Sequence, residues 1–223
     1  MVKFHMTKEE NIFYAKRMIV DSIWKEAHLE GINATFPDTQ EIYEGRSVAG
    51  LSVEGAVAIN NLKHAWWFVL DSLDDPLSCE YIKTLNEKIG AGIISWAGQL
   101  REFNAMITGS TYRPPIPSLN SLQQTIDTIC HISPGITQGL KAFALFARNQ
   151  FFPDGNKRTA QLLANKLLIN SCSGIFAVPI DEKRNFGKQL VNYYEKDNLE
   201  EFIDYLADTC LDGMDFPDRR DDQ

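Results

Sequence analysis

No stretch of uncharged apolar residues in this chain approaches the roughly 20 needed to span a bilayer, and its opening, MVKFHMTKEE, holds no apolar run of signal-peptide length. A cytoplasmic protein without membrane association is therefore expected. Cysteine is sparse. Cys79, Cys130, Cys172 and Cys210 are widely spaced and form no Cys-x-x-Cys or Cys/His pattern, which reads as reduced, mostly buried thiols without a metal or disulfide role. Positive charge is short as well: 22 Lys and Arg against 30 Asp and Glu leave a formal charge of -8. With no basic stripe or tail, a general nucleic-acid or acidic-membrane binder is excluded. His-Glu-x-x-His, Gly-x-x-x-x-Gly-Lys-Ser/Thr and Gly-x-Gly-x-x-Gly are also missing, so neither the zincin site nor the familiar glycine-rich phosphate loops apply.

What the chain has is helical periodicity. Its 223 residues, 44% hydrophobic and 23% charged, suffice for a large core. Thr7-Lys8-Glu9-Glu10 reads as a capping box, followed by Ile12, Ala15, Ile19, Ile23 and Ala27 on one face of a single helix up to Gly31. Asp38 or Thr39 caps a short helix that stops at Gly45. Ser52 opens a long helix to about Leu73, and Ser78 starts a third that carries Tyr81, Ile82, Leu85, Ile89 and Ile93 inward. Leu119 to Ile132 is a fourth, with Ser133-Pro134 as the N-cap and first turn of the next. Helices from Asp181 to Tyr194 and from Asn198 to about Leu211 close the series.

One segment differs. Phe103, Ala105 and Ile107 alternate with Asn104, Met106 and Thr108 ahead of a Gly109-Ser110 turn, and Pro114, Pro115 and Pro117 end this β-like stretch. No internal repeat or low-complexity tract interrupts the chain. It divides into an N-terminal helical extension over 1–50, a main domain over 51–211 and a flexible tail over 212–223.

Gly139 to Leu168 organises the whole. Leu140, Phe143, Ala144, Ala147 and Phe151 mark one helical face, Ala160, Leu163, Ala164, Leu167 and Leu168 another, and Pro153-Asp154-Gly155-Asn156 breaks between them. A helix that begins near Gly155 leaves its first N–H groups unpaired at the positive end of its dipole, which favours an anion. Gly155 allows close approach, and Asn156, Lys157 and Arg158 add donors, so phosphate is the natural ligand class. The carboxylate of Asp154 would repel that ligand unless a cation lay between them, a task for Mg²⁺. On spacing alone the competing reading is a plain Asp-Gly turn with Lys157 and Arg158 in solvent.

Over Gln150 to Arg158, QFFPDGNKR, the chain resembles the Fic family, whose signature is His-Pro-Phe-x-Asp-Gly-Asn-Gly/Lys-Arg between two core helices. Phe152, Asp154, Gly155, Asn156, Lys157 and Arg158 carry the match. Thr159-Ala160, Ala164-Asn165 and Gly98-x-Leu100-Arg101 also look like the family, and the likeness extends loosely from Ser52 to about Tyr194. It implies an all-α Fic/Fido helical domain over 51–211 with a small β-hairpin flap. The implied activity is transfer of AMP from ATP to a hydroxyl of a target protein, or of phosphate as in the Doc branch, which shares the lysine at Lys157. ATP and Mg²⁺ are the implied cofactors. Asp154 would hold the metal, Gly155, Asn156 and Lys157 would form the phosphate nest, and Arg158 would contact the phosphates and serve catalysis. Residues 102–112 would be the flap, with Ile107, Thr108 and Gly109 holding target peptide by strand addition. A homo-oligomer stays open.

The family's catalytic histidine falls on Gln150, whose amide neither accepts nor releases a proton near neutral pH. Loss of a general base costs on the order of 100- to 10,000-fold in rate. The family's second arginine falls on Gln161. No other histidine replaces the base: His5 and His28 read as peripheral, His131 as unplaced and His64 as a packed core residue. The family's inhibitory helix, Ser/Thr-x-x-x-Glu-Gly/Asn, finds only Glu44-Gly45, with Gln40 where Ser or Thr belongs. Two functions stay open, a transferase with altered chemistry at Gln150 and a catalytically inactive nucleotide-, phosphate- or protein-binding module.

Overall fold

The computed structural model describes residues 3–215. Its helices in chain order are α1 (Lys8–Arg17), α2 (Ile19–Leu29), α3 (Phe36–Tyr43), α4 (Val53–Asp71), α5 (Cys79–Gly90) and α6 (Leu119–Cys130). There follow α7 (Ile136–Asn149), α8 (Asn156–Asn170), β1 (Ile175–Phe176), α9 (Lys183–Lys196), α10 (Leu199–Thr209) and β2 (Leu211–Asp212). The architecture is all-α. β1 and β2 pair antiparallel, Ile175 opposite Asp212 and Phe176 opposite Leu211, and they are the only strands among the described residues. Residues 102–112, expected as a hairpin, form no strand.

At the centre α7 and α8 pack along each other as a helical hairpin. Gly139 makes the approach possible, because a Cβ there would lie 2.6 Å from Leu168 Cγ. α8 is buried nearly all round, with α4, α5, α1 and β1 packed about it, as expected of a helix whose apolar stripe is not confined to one face. Asn165, fully buried on α8, accepts from the Phe176 N–H at 2.7 Å and donates to the Phe176 carbonyl at 3.0 Å, which fixes β1 against the central helix. Each fully buried Leu or Phe in this layer contributes about 1.5–3 kcal/mol.

The helix ends hold several surprises. Thr7 and Glu10 do form the reciprocal capping box, but the helix they start stops at Met18 (φ -91°, ψ 2°) instead of running to Gly31. The break lets α1 lie on α8 while α2 turns across α3 and α4. Thr35, with Asp38 completing its capping box, starts α3 earlier than the Asp38 or Thr39 cap expected from sequence. Gly135, not Ser133, precedes the first turn of α7. The expected loose tail begins inside β2 at Asp212, and its residues 216–223 lie outside the described residues. All four cysteines are free, but only Cys210 is buried, so the expectation of mostly buried thiols fails. His64 points to solvent and is no core histidine. Among the described residues no helix is long and apolar enough to cross a membrane.

Candidate phosphate and metal site

The break between α7 and α8 is built by buried residues on one side and left open on the other. Phe151 and Phe152 are 2% and 1% exposed and anchor the loop in the core. Asn156 then closes it: its Oδ1 accepts from the Phe152 N–H at 2.9 Å and its Nδ2 donates to the Phe152 carbonyl at 2.8 Å. The Asn156 side chain thus shapes the loop, with one N–H of its amide given to the Phe152 carbonyl. Gly155 sits at φ +76°, where an added Cβ would meet the Asn86 amide at 3.0 Å. Asn86, buried on α5, donates to the Asp154 carbonyl and to Thr159 Oγ1 and accepts from the Gly98 N–H. It locks the loop to α5, and nothing in its sequence context signals that role.

No side chain caps α8, so the N–H groups of its first turn face out with the positive end of the helix dipole. Asp154 Oδ1 accepts from the Gly155 N–H at 2.6 Å, while its side chain stays 64% exposed. Arg158 is 7% exposed and reaches Asp154 Oδ1 at 3.4 Å. The unforeseen neighbour is Glu30, at the end of α2. Its carboxylate lies 3.0 Å from Lys157 Nζ and 3.7 Å from Arg158 Nε, the latter an ion pair too long for a hydrogen bond. Glu30, Asp154 and Arg158 line one cleft of about 480 Å³ together with Asn33, Ser52 and Glu54. A cleft of about 740 Å³ elsewhere, lined by Lys3, His5, Ser133, Thr137, Cys172 and others, contains none of these groups.

Glu44, the glutamate of the loosely matched inhibitory motif, is engaged locally. Its carboxylate takes hydrogen bonds from Gln40 and Arg46 at the exposed end of α3, and these hold it below the ordinary carboxylate range. The glutamate that meets the motif cations is Glu30. It is also followed by glycine, and Glu26 stands four residues before it in place of Ser or Thr, which is the signal the sequence reading passed over.

Gln150 ends α7 in the left-handed conformation, φ 50° and ψ 56°. Its Nε2 donates to the Ala147 carbonyl at 2.7 Å, beside the buried hydroxyl of Tyr194, which donates to the same carbonyl at 3.0 Å. Gln161 is 1% exposed and its Nε2 has no hydrogen-bond partner. His131 stands exposed at the end of α6, its ring nitrogen against the Asp127 carbonyl, and so offers the loop no base.

Arg101 ties this loop to the segment after it. Only 1% exposed, it receives the Phe151 carbonyl on its N–H, and its guanidinium donates to the carbonyls of Gln150, Phe103, Pro114 and Pro115. Burial holds its pKa below the usual value. Farther along, Ile107 is half-buried and Thr108 and Gly109 are exposed, with the Ser110 N–H closing a turn on the Ile107 carbonyl at 3.1 Å. Glu195 of α9 clamps this turn, accepting from the Ser110 and Thr111 hydroxyls at 2.6 and 2.7 Å and from the Thr111 and Tyr112 N–H groups. Tyr112 then packs under Arg148, 4.1 Å from its ring centre.

Residues 76–168 match the model of the Fic/DOC family. The fold is similar to that of a Fic domain containing signaling protein from Bacteroides thetaiotaomicron, with TM-score 0.75 and 17% identity over 92% of this chain and 87% of that one. It is similar also to Fic-1 from C. elegans, with TM-score 0.78 and 19% identity over 92% of this chain and 64% of that one. A Fic family protein from Desulfovibrio desulfuricans gives TM-score 0.67 and 14% identity, with 91% and 64% covered. The chain thus spans less than two thirds of the second and third of these. At such identities the likeness is one of fold. No curated protein matches the chain in sequence.

Proposed function

Starting from a Fic fold with an amide where the base belongs, we propose that the chain binds a nucleotide, or phosphate, with Mg²⁺ at the start of α8, and that AMP or phosphate transfer to a target-protein hydroxyl is impaired. One observation carries the reading. An uncapped helix start is flanked by an outward carboxylate, Asp154, and by two cations whose present partner, Glu30, comes from another helix. An anion and Glu30 compete for the same two cations.

The residues fit the metal as well. Among the described residues no cluster of three His, Cys, Asp or Glu could hold an ion unaided, which argues against a tetrahedral zinc site. Mg²⁺, by contrast, is held by one or two carboxylates plus phosphate oxygens and water. Asp154 would hold it through its solvent-facing oxygen. The bound ion would neutralise charge on the phosphates. The N–H groups of the first turn of α8 and the side chains of Lys157 and Arg158 would take the phosphate oxygens. ATP is the nucleotide the family likeness favours, and the turn at Ile107, Thr108 and Gly109 is the place a target segment would lie.

Chemistry is the weaker half. The Gln150 amide can orient an acceptor hydroxyl but cannot take its proton, and one of its two N–H groups is already donated to Ala147. This favours binding over turnover. Calorimetry with ADP tests the binding: affinity should rise with Mg²⁺, and Asp154→Ala should remove the Mg²⁺-dependent part. ATP labelled at the α or the γ phosphate, incubated with cell lysate, tests the chemistry. Gln150→His should transfer at least about 100-fold more label than the parent chain. Equal ADP affinity with and without Mg²⁺ would refute the metal site, and equal labelling would clear Gln150 of the defect.

A further inference from the structure

One helical turn before Glu30, α2 carries a second glutamate that the phosphate site leaves unused. Glu26 is 1% exposed. Its Oε1 accepts the indole N–H of Trp66 at 3.0 Å, and its Oε2 has no hydrogen-bond partner. A half-paired carboxylate in such burial is costly as an anion and inexpensive once protonated. The groups that weigh on it are the uncharged Trp66 from α4, Arg158 from α8 and Glu30 at the end of its own helix. Burial pushes its pKa up to about 8; the Trp66 bond and Arg158 pull it down and Glu30 pushes it up.

Arg158 is therefore shared between two sites. Its outer partners are Asp154, Glu30 and any arriving anion, and its charge, 3.7 Å from the carboxylate one helical turn beyond Glu26, also favours the Glu26 anion. Resting on the reading that the start of α8 takes an anion, we infer that Glu26 is the proton-linked positioning residue of that site: an anion arriving at Arg158 is matched by a proton taken from solvent onto the Glu26 carboxylate. The physical reason is charge balance in a buried volume. An anion engages the guanidinium that offsets Glu26 and adds negative charge beside it, so the neutral carboxyl is the form compatible with occupancy.

The sign follows. Well below pH 8 Glu26 is protonated in both the free and the bound protein, and affinity does not respond to it. As pH rises through its free-state value, binding must bring the proton back, and affinity falls. Calorimetry with ADP at about pH 6.5, 8 and 9, in buffers of different ionisation enthalpy, reads the proton directly. Uptake should be near zero at the lowest pH and approach about half a proton at the upper two, with affinity dropping roughly fivefold across the range. Glu26→Gln should bind ADP with neither uptake nor this fall.

The ligand-free protein supplies a second readout. Because the folded pKa lies above that of the unfolded chain, Glu26 lowers stability progressively as pH rises from about 4.5 to 8; Glu26→Gln should flatten that part of the denaturation profile. Trp66→Phe, which removes the bond favouring the anion, should move the same transition to higher pH. ADP binding without proton uptake near pH 8, or with the same uptake in Glu26→Gln, overturns the inference and leaves the phosphate site standing. Failure of the folded protein to bind ADP at every pH overturns both.

Discussion

Two polar segments of this molecule each meet a glutamate from a distant helix, and they meet it in different ways. At the start of α8, Glu30 from α2 meets two cations, Lys157 and Arg158, with its side chain only 16% exposed. At the turn near Gly109, Glu195 from α9 meets neutral partners, the hydroxyls of Ser110 and Thr111 and two backbone N–H groups, on an exposed surface. Those hydrogen bonds hold its pKa down to about 2. The first clamp engages the groups that, in the function proposed above, a phosphate would engage, so an anion would have to displace it. The second presents no free cation and yields only when the carboxylate itself is protonated. One is a competitor, the other a tether.

The sharpest way to break the first clamp is Arg158→Ala. It strands the buried Glu30 on Lys157 alone, so unfolding free energy should drop by about 3 kcal/mol, read by denaturant titration, with ADP binding lost. If stability barely moved, the buried ion pair would be a spectator. Glu30→Ala removes the competitor and keeps both cations. ADP should then bind about tenfold more tightly, equivalent to about 1.4 kcal/mol, and calorimetry against the parent chain decides it; unchanged affinity would mean that Glu30 does not stand in the way of the anion.

The smallest expected effect lies at the turn. A carboxylate whose folded pKa is depressed contributes stability above its unfolded value of about 4.3 and loses it as pH falls toward about 2. Protection of the Thr111 and Tyr112 amides, taken relative to the intrinsic exchange rate at each pH, should therefore fall between about pH 4.5 and 2.5 while the α7 and α8 amides stay protected. Glu195→Gln should show the quicker exchange already at neutral pH. Equal exchange in both proteins would show that the turn is held by the packing of Tyr112 under Arg148 instead.

The comparison also marks what can be read from a linear chain. The α7 and α8 pattern, the uncapped start at Gly155, the outward Asp154 and the amide at Gln150 are all local, since apolar spacing and a glycine at a break act over one or two helical turns. The residue type of Asn156 says only that it can donate and accept; that its amide also closes on Phe152 depends on how the loop folds back. Residues 102–112 show alternation without a strand, since alternation states which side chains face in and not whether a partner edge exists. Met18, an unremarkable residue, ends a helix because α1 and α2 must lie against different neighbours.

Sequence by itself determined the helical class of this protein, the break that creates an anion-favouring helix start and the loss of a proton-carrying group beside it. Each follows from residue type and short-range periodicity. Tertiary structure alone decided that Glu30 sits against Arg158 and Glu26 against Trp66, that Asn86 and Arg101 pin the loop and that Glu195 holds the turn. These contacts join residues from 40 to more than 120 positions apart. Coulomb and hydrogen-bond energies fall off with distance in space, and only the packing of α2, α5 and α9 around the central pair turns those separations into contacts.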